Sequence, residues 1–286
     1  MMDQSSRLSI GQCATLATLL EASAPKPGNV HRGADFGDLT FYDFQACAVA
    51  VAPVMEAAAA GARLGPTVLA AVQATRRLIA TNANLGTILL MAPMAMSERA
   101  TPLASGVSRV LASLDSEDAR LVYEAIRLAT PGGMGKVDKA DVAGPPPACL
   151  IAAMRLAEDR DAVARQYTRD FEDVFALVLP ALLEGIEEGW TVADSIVRTQ
   201  LTVLARIPDS LIARKCGWET ARQASTRAAA ALASGRPGDE AYHEALADFD
   251  FWLRSDGHRR NPGTTADLIA AGLFAALRDG QLGRVS

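Results

Sequence analysis

The sequence is short of everything that a sheet-rich or disulfide-stapled protein draws on. Aromatic residues make up only 5% of it, there are three histidines, and the cysteines are Cys13, Cys47, Cys149 and Cys216. Those four are far apart, form no CxxC pair and mostly sit in apolar runs, which points to buried, reduced thiols and argues against a zinc cluster or a disulfide framework. There is no excess of positive charge. The net charge is −5, so nucleic acid and anionic membranes find no general attraction, and any anion must be held by a local site. Long hydrophobic runs are missing too: no stretch of 18 apolar residues occurs, and the opening "MMDQSSRLSIGQCATLATLLEAS" lacks the h-region of a signal peptide. A cytoplasmic chain without a membrane span is expected.

What remains is a chain of 286 residues, half of them hydrophobic and many of those alanine, a mixture suited to closely packed helices. Ile10, Cys13, Leu16, Ala17 and Leu20 recur at helical spacing until "PKPG" breaks the run. Thr40 and Asp43 have the spacing of a capping box, and Phe41, Phe44, Ala48, Val51 and Met55 form one apolar stripe of a helix that ends near Gly61. Further helices are predicted over 66–80, 85–98, 102–113, 117–129, 148–157, 161–188, 191–206, 209–234 and 239–254, with a last one starting near "NPGTTADL". The longest break is "TPGGMGKVDKADVAGPPP", 130–147, whose glycines and three consecutive prolines exclude long regular structure. It reads as a lid rather than an interdomain linker. Helix after helix with short connections predicts an all-α fold, one large multi-helix bundle over 1–286 with its functional loops converging on one pocket.

Familiar phosphate motifs fail. In "GGMGK" the residue after Lys136 is Val137 and the P-loop spacing is absent, while a dinucleotide fingerprint would need a preceding strand. The loop "PKPGNVHRGADFGD" is more informative. Lys26, His31 and Arg32 can hold phosphates, and Asp35 and Asp38 can supply hard oxygen ligands to Mg²⁺, complementary needs of a metal-bound nucleotide. The plain alternative makes the aspartates turn and helix-start residues and leaves the basic groups solvated. In "ATNANLGTILLMAP", Asn82 and Asn84 can grip a purine or ribose and Gly86 allows a close approach, against an N-cap and helix packing as the alternative. Asp209 in "PDSLIARKCG" reads as an N-cap with Arg214 and Lys215 one turn on. In "RRNPGTTADL" the spacing of Thr264 and Asp267 matches a capping box, and the same helix start could bind phosphate. Arg160, Asp161, Arg165 and Tyr167 read as a solvated helix face, and His243 and His258 are given no role.

Taken together, "EASAPKPGNVHRGADFGDLT", "TNANLGTILLMAP", "PGGMGKV", "DSLIARK" and "NPGTTADLIAAGLF" resemble the triphosphoribosyl-dephospho-CoA synthase family, in that family's order and over nearly the whole chain. The resemblance is to the archaeal-type branch. The citrate-lyase type has an aspartate where this chain has His31, and reads Asn-Thr-His-Lys-Gly where this chain has Asn82-Ala83-Asn84-Leu85-Gly86. The family implies an all-α transferase that binds Mg-ATP and moves its triphosphoribosyl group to the ribose 2′-hydroxyl of 3′-dephospho-CoA or a related acceptor, releasing adenine. The product is the precursor of a prosthetic group on an acyl-carrier subunit.

On that resemblance Asp35 and Asp38 are expected to hold Mg²⁺ or face the developing positive charge at the sugar, and Lys26 and Arg32, with His31, the phosphates. Asn82, Asn84 and Gly86 would meet base or ribose. Lys215 and the helix start at Asn261, Gly263 and Thr264 would complete the anion grip, with Glu21 and Asp209 as further acid/base candidates. Two other classes stand beside this reading: a metal-dependent nucleotide or ADP-ribosyl hydrolase, and a non-catalytic nucleotide-binding helical module. Alanine-rich faces at 56–60 and 228–233 would pack internally or across a homodimer.

Overall fold

The computed structural model describes residues 7–132 and 141–282. Their regular structure is helical, with no strand among the described residues. Of the segment expected to act as a lid, the part from 133 to 140 lies outside the described residues.

The first half runs through α1 (Ile10–Ser23), α2 (Phe41–Ala59), α3 (Leu64–Arg76), α4 (Leu85–Met96), α5 (Leu103–Ala112) and α6 (Ser116–Ala129). Thr40 and Asp43 do form the expected capping box at the head of α2, each side chain taking the other's backbone N–H. Helix α1 packs along α2, α2 along α3, and α3 along α6. The second half runs through α7 (Leu150–Arg155), α8 (Ala162–Thr168), α9 (Leu179–Glu187), α10 (Val192–Arg206), α11 (Ser210–Cys216), α12 (Trp218–Ala233), α13 (Glu240–Arg254) and α14 (Gly263–Arg278).

Two predicted helices are interrupted. The 161–188 segment ends α8 at Thr168, passes through left-handed Asp170 and Phe171, and resumes as a π-helical turn, Val174–Val178, leading into α9. Pro180 has no N–H to give the carbonyl four residues back, so the ladder ahead of it is free to widen. The 209–234 segment is divided at Gly217, whose φ of 88° lies outside the helical region.

Helices α4 and α14 are the centre of the molecule. Nearly every side chain of each is buried, as expected of helices apolar all round. Helix α14 touches α1, α4, α8, α9, α10 and α11, and α4 touches α2, α3, α5, α8 and α14. Pro93 inside α4 leaves the Leu89 carbonyl without its helical donor, and the buried Tyr167 hydroxyl supplies one at 2.7 Å. At the other end, buried Arg278 of α14 donates to the Ser97 and Glu98 carbonyls just past α4, at 3.1 and 2.7 Å. Tyr167 thus ties α4 to α8, and Arg278 ties the end of α14 to the segment that follows α4. A smaller second core joins Leu201, Leu204, Ile212, Ala221, Ala228, Tyr242 and Leu253, and α10 supplies residues to both cores. All four cysteines are free. Cys13 and Cys47 are buried as expected, but Cys149 is exposed and Cys216 only half-buried.

Candidate active site

One cleft of about 1080 Å³ opens over the starts of α4 and α14. Its walls come from the loop after α1, the segment 81–87, the end of α6, the head of α8, α11 and the loop 257–264, six stretches far apart in sequence.

The loop after α1 is held from behind. Gly28 adopts φ 76°, and a Cβ there would lie 2.8 Å from Leu253 of α13. Its N–H donates to Asp250, which Arg254 grips with Nε at 2.8 and 2.9 Å while donating from its other nitrogen to the Asn29 carbonyl. Buried Asn29 donates to Asn261 at 2.6 Å and accepts from Gln200 at 2.7 Å, tying this loop to the one ahead of α14. Phe36 and His258 stack at 4.0 Å between the same two loops.

The cations line one side. Arg214 of α11 pairs at 2.5 Å with Asp161, which also caps α8. Arg259 donates to the Lys215 carbonyl at 2.8 Å, and Arg127 and Arg160 lie beside Tyr123, whose pKa burial raises. The Lys215 ammonium, by contrast, meets no acceptor among the described residues. Its three donors are therefore open to a ligand.

Carboxylates occupy the floor. Glu21 reaches the cleft from α1 and is paired at 2.9 Å with Lys26, which is completely buried and also donates to the Glu21 and Ala24 carbonyls. Asp267 enters from just past the first turn of α14, half-buried, with Thr87 Oγ1 donating to it at 2.7 Å. Gly86 explains the fit: a Cβ there would lie 2.1 Å from the Asp267 carboxylate, so only glycine lets α4 and α14 meet around it. Burial lifts the Asp267 pKa to about 7, the Thr87 hydrogen bonds oppose the rise, and the charges of Glu21 and Asp209 add to it.

Of the residues expected at the site, Glu21, Asp38, Asn82, Gly86, Lys215, Asn261, Gly263 and Thr264 line this cleft. Asp38 is exposed in it and has no partner among the described residues. Asn82 lines it while its side chain caps the Leu85 N–H at 3.2 Å. The remaining six are used elsewhere. Lys26 faces inward to Glu21 and not toward a phosphate, because a buried ammonium needs a carboxylate beside it. His31 accepts the Gly33 N–H on Nδ1 at 3.1 Å, and burial with the charges of Arg254 and Lys26 lowers its pKa, so it is neutral and no anion grip. Arg32 is exposed on the turn between His31 and Ala34, outside the cleft. Asp35 accepts the Phe41 N–H at 2.7 Å, anchoring α2. Asn84 is buried at the head of α4.

Asp209 is a strap between helices. One oxygen takes the N–H groups of Leu211 and Ile212, and the other takes the N–H and hydroxyl of Thr265. The expected capping box of Thr264 and Asp267 does not form. Pro262 is the N-cap of α14, Thr264 accepts from the Ser210 hydroxyl, and Asp267 is turned into the cleft. Nor are Arg160, Asp161 and Tyr167 a solvated face: the first two line the cleft and the third is buried.

Sequence reasoning missed Asp267, Arg127, Arg160, Asp161 and His258 as parts of the site. The one legible signal was Asp267 itself, a lone carboxylate opening a helix that is otherwise apolar all round. No group of three or more His, Cys, Asp or Glu side chains arranged to hold a metal occurs among the described residues. A nucleotide-bound Mg²⁺ needs fewer, since it keeps several waters and takes one or two carboxylates alongside the phosphates. Asp38 fits that requirement.

A sequence model of ATP:dephospho-CoA triphosphoribosyl transferases matches residues 7–285. Among solved structures, a triphosphoribosyl-dephospho-CoA synthase candidate from Archaeoglobus fulgidus is similar, with a TM-score of 0.65 and 26% identity. The alignment covers 82% of this chain and 98% of that one. Comparison with curated proteins finds no match.

Proposed function

The chain belongs to the ATP:dephospho-CoA triphosphoribosyl transferase family, and from that premise we propose that the cleft over the starts of α4 and α14 is its active site. The enzyme moves the triphosphoribosyl group of ATP to dephospho-CoA, which leaves adenine as the second product. The observation that carries the assignment is that Glu21, Asp38, Asn82, Lys215 and Asn261, from five separate parts of the chain, line one cavity that brings cations and carboxylates together.

In this reading the triphosphate lies against Lys215, Arg259 and the start of α14, where Asn261, Gly263 and Thr264 line the cleft. Arg214 is positioned by Asp161 to add to that grip. Asp38 holds Mg²⁺ together with the phosphate oxygens, and the metal would neutralise phosphate charge during binding. Asn82 orients the sugar or base. The Glu21 carboxylate, held in place by Lys26, faces the anomeric carbon and stabilises the positive charge that grows there as the bond to adenine lengthens. Arg127 and Arg160, beside Tyr123, receive the diphosphate of the acceptor. The apolar lining of Leu89, Ala153, Met154 and Val163 excludes water, which would otherwise compete with the acceptor hydroxyl.

The chain is read as one domain, supported by the sharing of α10 between both cores, and as a cytoplasmic enzyme. A homodimer would bury the apolar groove of Pro53, Val54, Ala57, Ala62 and Ala70 between α2 and α3, and sedimentation at micromolar concentration checks it.

The test is to incubate the enzyme with ATP, Mg²⁺ and dephospho-CoA and to follow products by mass spectrometry. Adenine in equal amount with a heavier CoA derivative is expected. Adenine or phosphate formed at the same rate without an acceptor would make the enzyme a hydrolase. Asp38→Asn should raise the Mg²⁺ concentration needed for half-maximal rate about tenfold or more. An unchanged Mg²⁺ dependence removes Asp38 from the metal.

A further inference from the structure

The cleft floor holds two carboxyl groups in opposite electrostatic surroundings. Glu21 has the Lys26 ammonium against it at 2.9 Å. Asp267 has no cationic partner among the described residues: it accepts from the Thr87 hydroxyl of α4, and the charges that act on it are the carboxylates of Glu21 from α1 and of Asp209 at the head of α11. Two acids whose environments are pushed apart in this way mark an acid/base division of labour. Glu21 has a cation against it, while burial and two neighbouring carboxylates favour the protonated form of Asp267.

Triphosphoribosyl transfer needs both. Departure of adenine leaves the electron pair of the ribose–N9 bond on the purine, and an adenine anion is a poor leaving group unless a ring nitrogen is protonated as the bond breaks. We propose that Asp267 is the general acid that protonates the departing adenine, an assignment that rests on the active-site reading above. The carboxyl proton passes to a purine ring nitrogen and neutral adenine leaves. The acceptor hydroxyl oxygen bonds to the anomeric carbon and its proton goes to water, and Asp267 takes up a proton from water before the next turnover.

The geometry serves this role. Asp267 stands at the cavity floor beside Gly86 and Thr87, next to the segment Thr81–Asn82–Ala83 that lines the same pocket. The missing side chain at Gly86 leaves room for the carboxyl group at 2.1 Å from where a Cβ would stand. The Thr87 hydroxyl fixes one oxygen, Oδ1, and so orients the other.

Asp267→Asn, which preserves shape and cannot give up a proton, should lower kcat on ATP by about 100-fold or more while ATP binding by calorimetry changes less than about threefold. The triphosphate of a 7-methylpurine ribonucleoside bypasses the step, because its base is already cationic and leaves neutral without a proton. The variant should use this donor at close to the wild-type rate. Thr87→Val removes a donor that favours the carboxylate, so the alkaline limb of the kcat–pH profile should move to higher pH.

Wild-type turnover of ATP and dephospho-CoA is measured first. If it is absent, the active-site reading fails. If it is present and Asp267→Asn retains kcat within about threefold, or is equally slow with the methylated donor, Asp267 is not the acid. Should Asp267→Asn fail to fold, the Thr87→Val profile decides: an unmoved limb overturns the proposal.

Discussion

At the scale of single residues, the site depends on which carboxyl groups have cationic partners. Lys26 was expected to reach a phosphate and instead lies wholly buried beside Glu21. Asp267, expected as a cap, lies in the cleft with its pKa raised to about 7. That shift carries a stability cost with a definite sign. In the unfolded chain an aspartate ionises near pH ~4. Between that pH and about 7 the folded state holds a proton that the unfolded state has lost, so stability falls as pH rises through this window and levels off above it. Asparagine has no such term. Asp267→Asn should therefore gain melting temperature relative to wild type as the pH is raised from about 4 to about 7, with a constant difference above. Calorimetric scans across that range check it, and a difference that does not vary with pH would mean that Asp267 is ionised throughout.

At the scale of elements, short helices are positioned by side chains that join their heads. Asp209 ties the start of α11 to the start of α14 through four accepted hydrogen bonds, and Ser210 links α8 to α14 by accepting the Ala162 N–H and donating to Thr264. Asp209→Ala leaves three backbone donors unpaired, two of them fully buried, and should destabilise the fold by about 3–5 kcal/mol in a denaturant titration. Because Lys215 and Thr264 ride on these two helices, KM for ATP should rise along with the loss of stability. Most elements were legible in the sequence, since capping spacing and apolar stripes are local signals. Thr40 with Asp43 and the Asp209 cap are both present as read. The misreadings have local causes of another kind. The left-handed pair Asp170 and Phe171, and Gly217, broke patterns whose apolar period ran on through them, and Thr264 with Asp267 had capping spacing at a helix whose N-cap is Pro262.

At the scale of the whole molecule, a chain of net charge −5 must bind a polyanion. The attraction is confined to Lys215, Arg214, Arg259, Arg127 and Arg160, which line the cleft. Such attraction is screened over a Debye length of about 8–10 Å at physiological salt. Raising NaCl from about 50 to about 300 mM should increase KM for ATP several-fold with little effect on kcat, and Lys215→Ala should both raise KM and flatten that dependence. Steady-state kinetics at several salt concentrations test this. The all-helical architecture, the order of the helices, and the family were determined by the sequence alone. They rest on local periodicity and on motifs quoted whole. What tertiary structure alone decided is which of the motif residues face the cleft. Residues as close in sequence as Asp35 and Asp38 part company, one anchoring α2 and the other open to the cavity, while Gly86 and Asp267, 181 positions apart, meet in one contact. Direction of a side chain out of an irregular loop, and the desolvation that sets its charge, depend on the neighbours that packing brings, and those neighbours are distant in the chain.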